Sequence, residues 1–221
     1  MANFQFTIEQ IESLKSWKNS LQTEKARNWF EEEEKAEIIT SKILNDERFK
    51  NGENLTPEKL NELFSEMKWF SANRNLTSLL YRNNEITVFN KYLRNLIHGI
   101  GPFYERVDDF FKLRGIGIQT LSQFLVAADS RKYAFVSFQS KEILGISSEQ
   151  DQVALEDAIK MFDIKNPDKL LDRSLDYLRD HVIFQSIKEL LNLDKYNLVN
   201  NLLWFAFDQD EQGPEEVIKS Y

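Results

Sequence analysis

Apolar residues recur at helical spacing along nearly the whole of this 221-residue chain, and strand-like alternation is almost absent. Ile8, Ile11, Leu14 and Trp17 fall on one helix face, and Leu60, Leu63, Phe64 and Met67 on another. Segments with that period bury one stripe each against their neighbours, so the pattern predicts an all-α protein. Only 7 Gly and 4 Pro interrupt it, which leaves few places for the chain to turn.

Capping residues and breakers predict where the helices begin and end. Thr7 and Gln10 form a capping-box pattern ahead of the first apolar stripe. A second helix is expected from Glu24 to Leu44, with Ala26, Phe30, Ile38 and Ile39 inward and Glu31 to Glu34 as a solvated face. Thr56-Pro57 places a proline at the first position of a third helix. Glu85 to His98 forms another, stopped by Gly99-Ile100-Gly101-Pro102. Arg106, Val107, Phe110 and Phe111 lie on a helix leading into a glycine-containing turn. Ala134 to Phe138 is expected to be extended, and Ser148 with Asp151 to cap a helix running to Phe162. Two last helices are placed near 169–191 and 196–207. The expected organisation is a single helical domain over 1–207, a subdomain seam near 163–168, and a linker or tail over 208–221.

Composition excludes several chemistries. There is no cysteine, so neither a disulfide framework nor a thiolate metal site is expected. Two histidines are too few for an ordinary zinc site, and no metal site is expected. His98, just before a glycine, is read as a helix C-terminal residue favoured by the dipole, and His181 as structural. Asp108 and Asp109 point about 100° apart on a helix and make a poor metal site alone. No stretch of 18 apolar residues occurs, and residues 1–10 lack the basic and apolar parts of a signal peptide. The expectation is a soluble, cytoplasmic protein with no membrane partner.

The stretch from Leu113 to Ser122 carries the functional signal. Lys112 and Arg114 flank Gly115-Ile116-Gly117, and Ile118, Gln119 and Thr120 open the apolar run that follows. This is the pattern of a helix-hairpin-helix. Glycines admit positive φ and close backbone approach, and the next helix points free N–H groups outward. An anion fits there, and on DNA that anion is a phosphate. The whole chain has a net charge of −8, which argues against a protein that simply coats DNA. From Lys68 to Lys141, however, 11 basic residues face 5 acidic ones, a basic middle in an acidic frame. The candidate phosphate contacts are therefore Lys112, Arg114, Gly115, Ile116, Gly117, Ile118, Gln119 and Thr120. For a flipped base, candidate aromatic walls are Trp69, Phe70, Tyr81, Tyr133 and Phe138, with Trp69 and Tyr133 preferred because each adjoins basic, polar residues.

Leu113 to Leu125 is similar to the helix-hairpin-helix of base-excision DNA glycosylases. That resemblance allows a monovalent cation at the hairpin carbonyls. The catalytic groups it would require are not matched. Val136 is followed by Ser137 rather than Asp, and the position two after Gly117 is Gln119 rather than Lys.

A longer set resembles the N-terminal specificity region of McrB-type, modification-dependent restriction systems. It comprises Asn75-Leu76, Phe89 with Tyr92-Leu93-Arg94, Arg106 with Phe110, Arg114 to Gly117, Ser122 with Phe124-Leu125, Asp129 to Tyr133, Leu144-Gly145 and Leu203-Trp204. The resemblance implies a non-enzymatic domain that binds double-stranded DNA and senses a modified base, often methylated cytosine. Its implied partners are a nucleotide-hydrolysing motor domain and a nuclease subunit. No Gly-x-x-x-x-Gly-Lys-Ser/Thr occurs in the chain, so the motor is not here. Two other readings stay open: an all-α protein–protein interaction module, and a helix-hairpin-helix DNA glycosylase with relocated catalytic groups.

Overall fold

The computed structural model describes residues 3–67, 80, 83–136 and 140–208, and among them the chain is helical with no strand. Helix α1 spans Ile8–Trp17 and is followed by a 3-10 turn, Lys18–Gln22. Next come α2 Glu24–Leu44, α3 Glu47–Lys50, α4 Pro57–Met67, α5 Ile86–His98, α6 Phe103–Phe111 and α7 Ile118–Ala128. They are followed by α8 Ser140–Leu144, α9 Ser148–Met161, α10 Asp172–Leu190 and α11 Asn197–Asp208.

Several starts follow from local side-chain chemistry. Thr7 and Gln10 make the reciprocal capping box of α1. Thr23 and Asp46 accept backbone N–H groups at the starts of α2 and α3. The box that opens α9 is one residue earlier than the sequence suggested. Ser147, not Ser148, is the cap, and its partner is Gln150. The two boxes also join each other, because the Gln10 and Gln150 amides exchange hydrogen bonds of 2.8 and 3.2 Å. Residues 134–136 are neither helix nor strand.

Helix α7 occupies the centre. From Thr120 to Ala128 every residue is buried, and the helix packs against α2, α5, α6 and α10. A helix that is buried all round needs no polar face, which explains the run Leu121, Phe124, Leu125, Val126, Ala127 and Ala128. Phe124 is the hub of an aromatic group with Phe64, Phe89 and Phe110 at centroid distances of 5.6–5.9 Å. At the far end of α7 the Ala127 and Ala128 carbonyls accept hydrogen bonds from Thr40, Ser41 and Asn45 of α2 and its C-cap.

One buried cluster runs from Phe4 to Leu203. The break at 163–168 is a turn between α9 and α10, which pack against each other, and Ile164 within it belongs to the same cluster. The expected tail lies outside the described residues beyond Asp208. Ile8 and Ile38, placed inward by periodicity, are 72% and 65% exposed.

The Glu31–Glu34 run is not uniformly solvated either. Glu33 is 3% exposed and accepts hydrogen bonds from Asn197 (3.0 Å) and Asn201 (2.6 Å) of α11. Burial pushes its carboxyl up to about 8, and Glu37 adds to the shift.

Candidate nucleic-acid interface

Residues 112–117 join α6 to α7 with an inside and an outside. Leu113 and Ile116 are buried at 6% and 2% exposure, and they pin the turn to the core. Lys112, Arg114, Gly115, Gly117 and Gln119 are exposed, Ile118 is half-buried, and the Thr120 side chain is buried. The turn therefore offers solvent two basic side chains, two glycines and the start of the central helix.

The two glycines do different work. Gly115 has φ +78°, a conformation that L-residues rarely adopt, and a Cβ there would lie 3.2 Å from Asn83 Nδ2. The expectation that both glycines use positive φ is corrected at Gly117, which is extended (φ −103°, ψ 175°) with open space where a Cβ would project. The fold does not need glycine at 117. What glycine does there is leave the approach to α7 bare.

Gly117 is also the N-cap of α7, and it supplies no side-chain cap. The first helical bond runs from Leu121 N–H to Gly117 O. The N–H groups of the first turn thus belong to the helix's positive end without a capping oxygen from Gly117. No acidic residue occupies that first turn.

The two flanking cations are not equivalent. Lys112 is held by Asp109 at 2.6 Å and lies 3.8 Å from Asp108, and the hydrogen bond to Asp109 raises its pKa. Its charge is locally compensated. Among the described residues Arg114 has no ion pair, so it is the uncompensated cation of the turn.

Two residues that sequence reasoning missed brace the turn, and a third, Asp108, has a role that reasoning did not give it. Asn84 clamps Arg114 by its backbone, accepting from its N–H at 3.0 Å and donating to its carbonyl at 2.9 Å. Arg173 of α10 donates to the carbonyls of Phe111 and Ile116 and lays its guanidinium 5.1 Å from the centre of the Phe111 ring.

Asp108 is the third. It caps α10, accepting from Leu171 N–H and Ser174 Oγ, each at 2.8 Å. A carboxylate from α6 serves the start of α10, and a guanidinium from α10 serves the end of α6. Each charge matches the helix end it meets.

The aromatic candidates fare differently. Trp69, Phe70, Tyr81 and Phe138 lie outside the described residues. Tyr133 is a core residue, 4% exposed and stacked on Phe103 at 5.3 Å, so it presents no open face to a base. Its basic neighbour Lys132 places its ammonium 5.1 Å from the centre of the ring. Close by, His181 is fully buried with its Nδ1 accepting from Ala134 N–H, and burial pulls its pKa down to about 4. It is a neutral structural histidine. His98 ends α5, and its Nε2 lies 2.7 Å from the Leu44 carbonyl of α2.

No protein-family model, curated protein or solved structure matches this chain. Among the described residues no helix is long and apolar enough to cross a membrane, and no group of three or more acidic residues or histidines could hold a metal ion.

Proposed function

We propose that this chain is a non-enzymatic DNA-binding domain that grips the phosphate backbone of a duplex at the α6–α7 turn, in the manner of a helix-hairpin-helix. The observation that carries this reading is the start of α7. Gly117 gives its first turn no side-chain cap and adds no side chain of its own there, and among the described residues the adjacent Arg114 has no ion pair. A phosphate oxygen placed there meets backbone N–H donors, the positive end of a central helix and a guanidinium together. Such contacts fix register and carry no base information, so selectivity belongs to other residues.

The sequence resemblance extends the proposal to a specificity domain of a McrB-type restriction complex, reading a modified base and working with a motor domain or nuclease subunit. The test is fluorescence anisotropy on matched duplexes, unmodified and carrying methylated cytosine, at two salt concentrations. Binding should weaken as salt rises, and Arg114→Ala should weaken it further while lowering the salt slope by about one counterion. Tighter binding to the methylated duplex would support the restriction assignment. Absence of binding to either duplex at low salt removes the DNA reading and leaves the protein-interaction module.

A further inference from the structure

The cationic surface continues beyond the turn. A cavity of about 550 Å³ runs along α5 to the loop before α6, lined by Lys50, Lys91, Tyr92, Arg94 and Ile100, with Asp109 at its turn-proximal end. Asp109 is the carboxylate that holds Lys112, so the cavity adjoins the turn directly. In a chain of net charge −8, this hollow gathers three basic side chains against one carboxylate, which itself is already paired.

Two of those cations, Lys91 and Arg94, have no carboxylate partner among the described residues. Lys91 is exposed and has no ion pair among the described residues. Lys50 pairs with Glu47 as Lys112 does with Asp109, through an exposed i,i+3 contact of the kind that solvent screens and that a phosphate can replace. Arg94 is fixed by carbonyl oxygens, those of Phe49 and Glu53, and stacks on the Phe49 ring at 5.0 Å. Carbonyls orient a guanidinium without neutralising it.

Ile100 supplies a second, independent observation. It is fully exposed at 107%, the most exposed large hydrophobic residue described. Its loop is nevertheless held in place. Arg106 donates to the carbonyls of Leu96 (2.6 Å) and Gly101 (3.1 Å), and a Cβ at Gly99 would collide with Asn95 and Arg106. An aliphatic side chain is thus presented on a braced loop at the rim of a cationic hollow. Nucleic-acid binders use that pairing, with cations on phosphates and an apolar wedge against sugars or bases.

We propose that this groove is a second nucleic-acid contact, in which Lys50, Lys91 and Arg94 follow the phosphates of the strand engaged at the turn and Ile100 lies against its sugar or base edges. The proposal rests on the DNA-binding reading above and lengthens its footprint.

The test uses the full chain, a labelled 20-base-pair duplex and a salt titration. The variants are Lys50→Ala/Lys91→Ala, Ile100→Ser and, for the turn alone, Arg114→Ala. The double lysine variant should lose about tenfold in affinity and about two counterions of salt slope, and Ile100→Ser should lose affinity with the slope unchanged. All three replaced groove residues are solvent-facing, and unchanged thermal melts confirm the fold. Full affinity and slope in the double lysine variant overturn the groove, whatever Arg114→Ala does. Loss in the double variant with full binding by Arg114→Ala keeps the groove and overturns the turn. Failure of the parent chain to bind overturns both. Displacement of the duplex by polyglutamate at equal charge concentration overturns the nucleic-acid assignment in favour of an acidic protein partner.

Discussion

Replacing Glu33 by glutamine should stabilise this protein at mildly alkaline pH and change the shape of its stability profile. The Glu33 carboxyl is raised from 4.5 to about 8 by burial between α2 and α11. An acid with a raised folded-state pKa holds its proton in the native state after the unfolded chain has lost it. Its stabilising contribution is complete below 4.5 and declines as pH rises toward 8. His181 acts in the opposite sense. Its pKa falls from 6.5 to about 4, so the unfolded chain takes up a proton that the native state refuses, and stability falls as pH drops through that window.

Between pH 4.5 and 6.5 the two effects cancel, one proton against the other. Above 6.5 only Glu33 remains, and the loss by pH 8 is roughly 2 kcal/mol, at about 1.36 kcal/mol per pH unit. Glu33→Gln keeps an oxygen for the Asn197 and Asn201 amides and removes the titration. Its stability should rise from pH 4 to 6.5 by roughly 3 kcal/mol through His181, with His98, whose pKa burial also lowers, adding in the same sense, and then stay level. Urea unfolding followed by tryptophan fluorescence at five pH values reads both curves. Parallel profiles for the two proteins between pH 6.5 and 8 would refute an un-ionised, buried Glu33.

Two further substitutions test the turn and its brace. Gly115→Ala should cost about 1–2 kcal/mol because of the left-handed φ, whereas Gly117→Ala, in extended backbone with open space, should cost less than about 1 kcal/mol and still weaken duplex binding. Equal melting temperatures for the two variants would show that the turn relaxes freely. Asp108→Ala leaves the Leu171 N–H and Ser174 hydroxyl without their acceptor and should cost about 2 kcal/mol in urea unfolding. A change below about half a kilocalorie per mole would mean that α10 is capped by water instead.

Helix identity was legible wherever the determinant was local. Thr7 with Gln10, the proline at 57 and the glycines around Ile100 each act within a few residues, and the helix ends fall close to them. The buried face of α7 was equally plain, because a run of aliphatic and small residues has nowhere to go but inside. What stayed hidden depends on partners far along the chain. Glu33 looks like one more charge in an acidic run until α11 brings Asn197 and Asn201 over it. Tyr133 looks exposed because its sequence neighbours are polar, yet Phe103 covers its ring. Asn84 and Arg173 carry no motif, and their roles appear only once the chain has closed on itself.

The partnership of α6 and α10 has a consequence for how the protein is made. Arg173 reaches carbonyls 57 and 62 residues earlier in the chain. On the ribosome the turn emerges well before the helix that braces it, so it waits in an unfinished form until α10 is out. A fragment cut to contain the turn and its two flanking helices would lack the brace. The ability to hold a phosphate would arrive as an all-or-none property of the folded unit that includes α10 rather than as a part that can be transplanted.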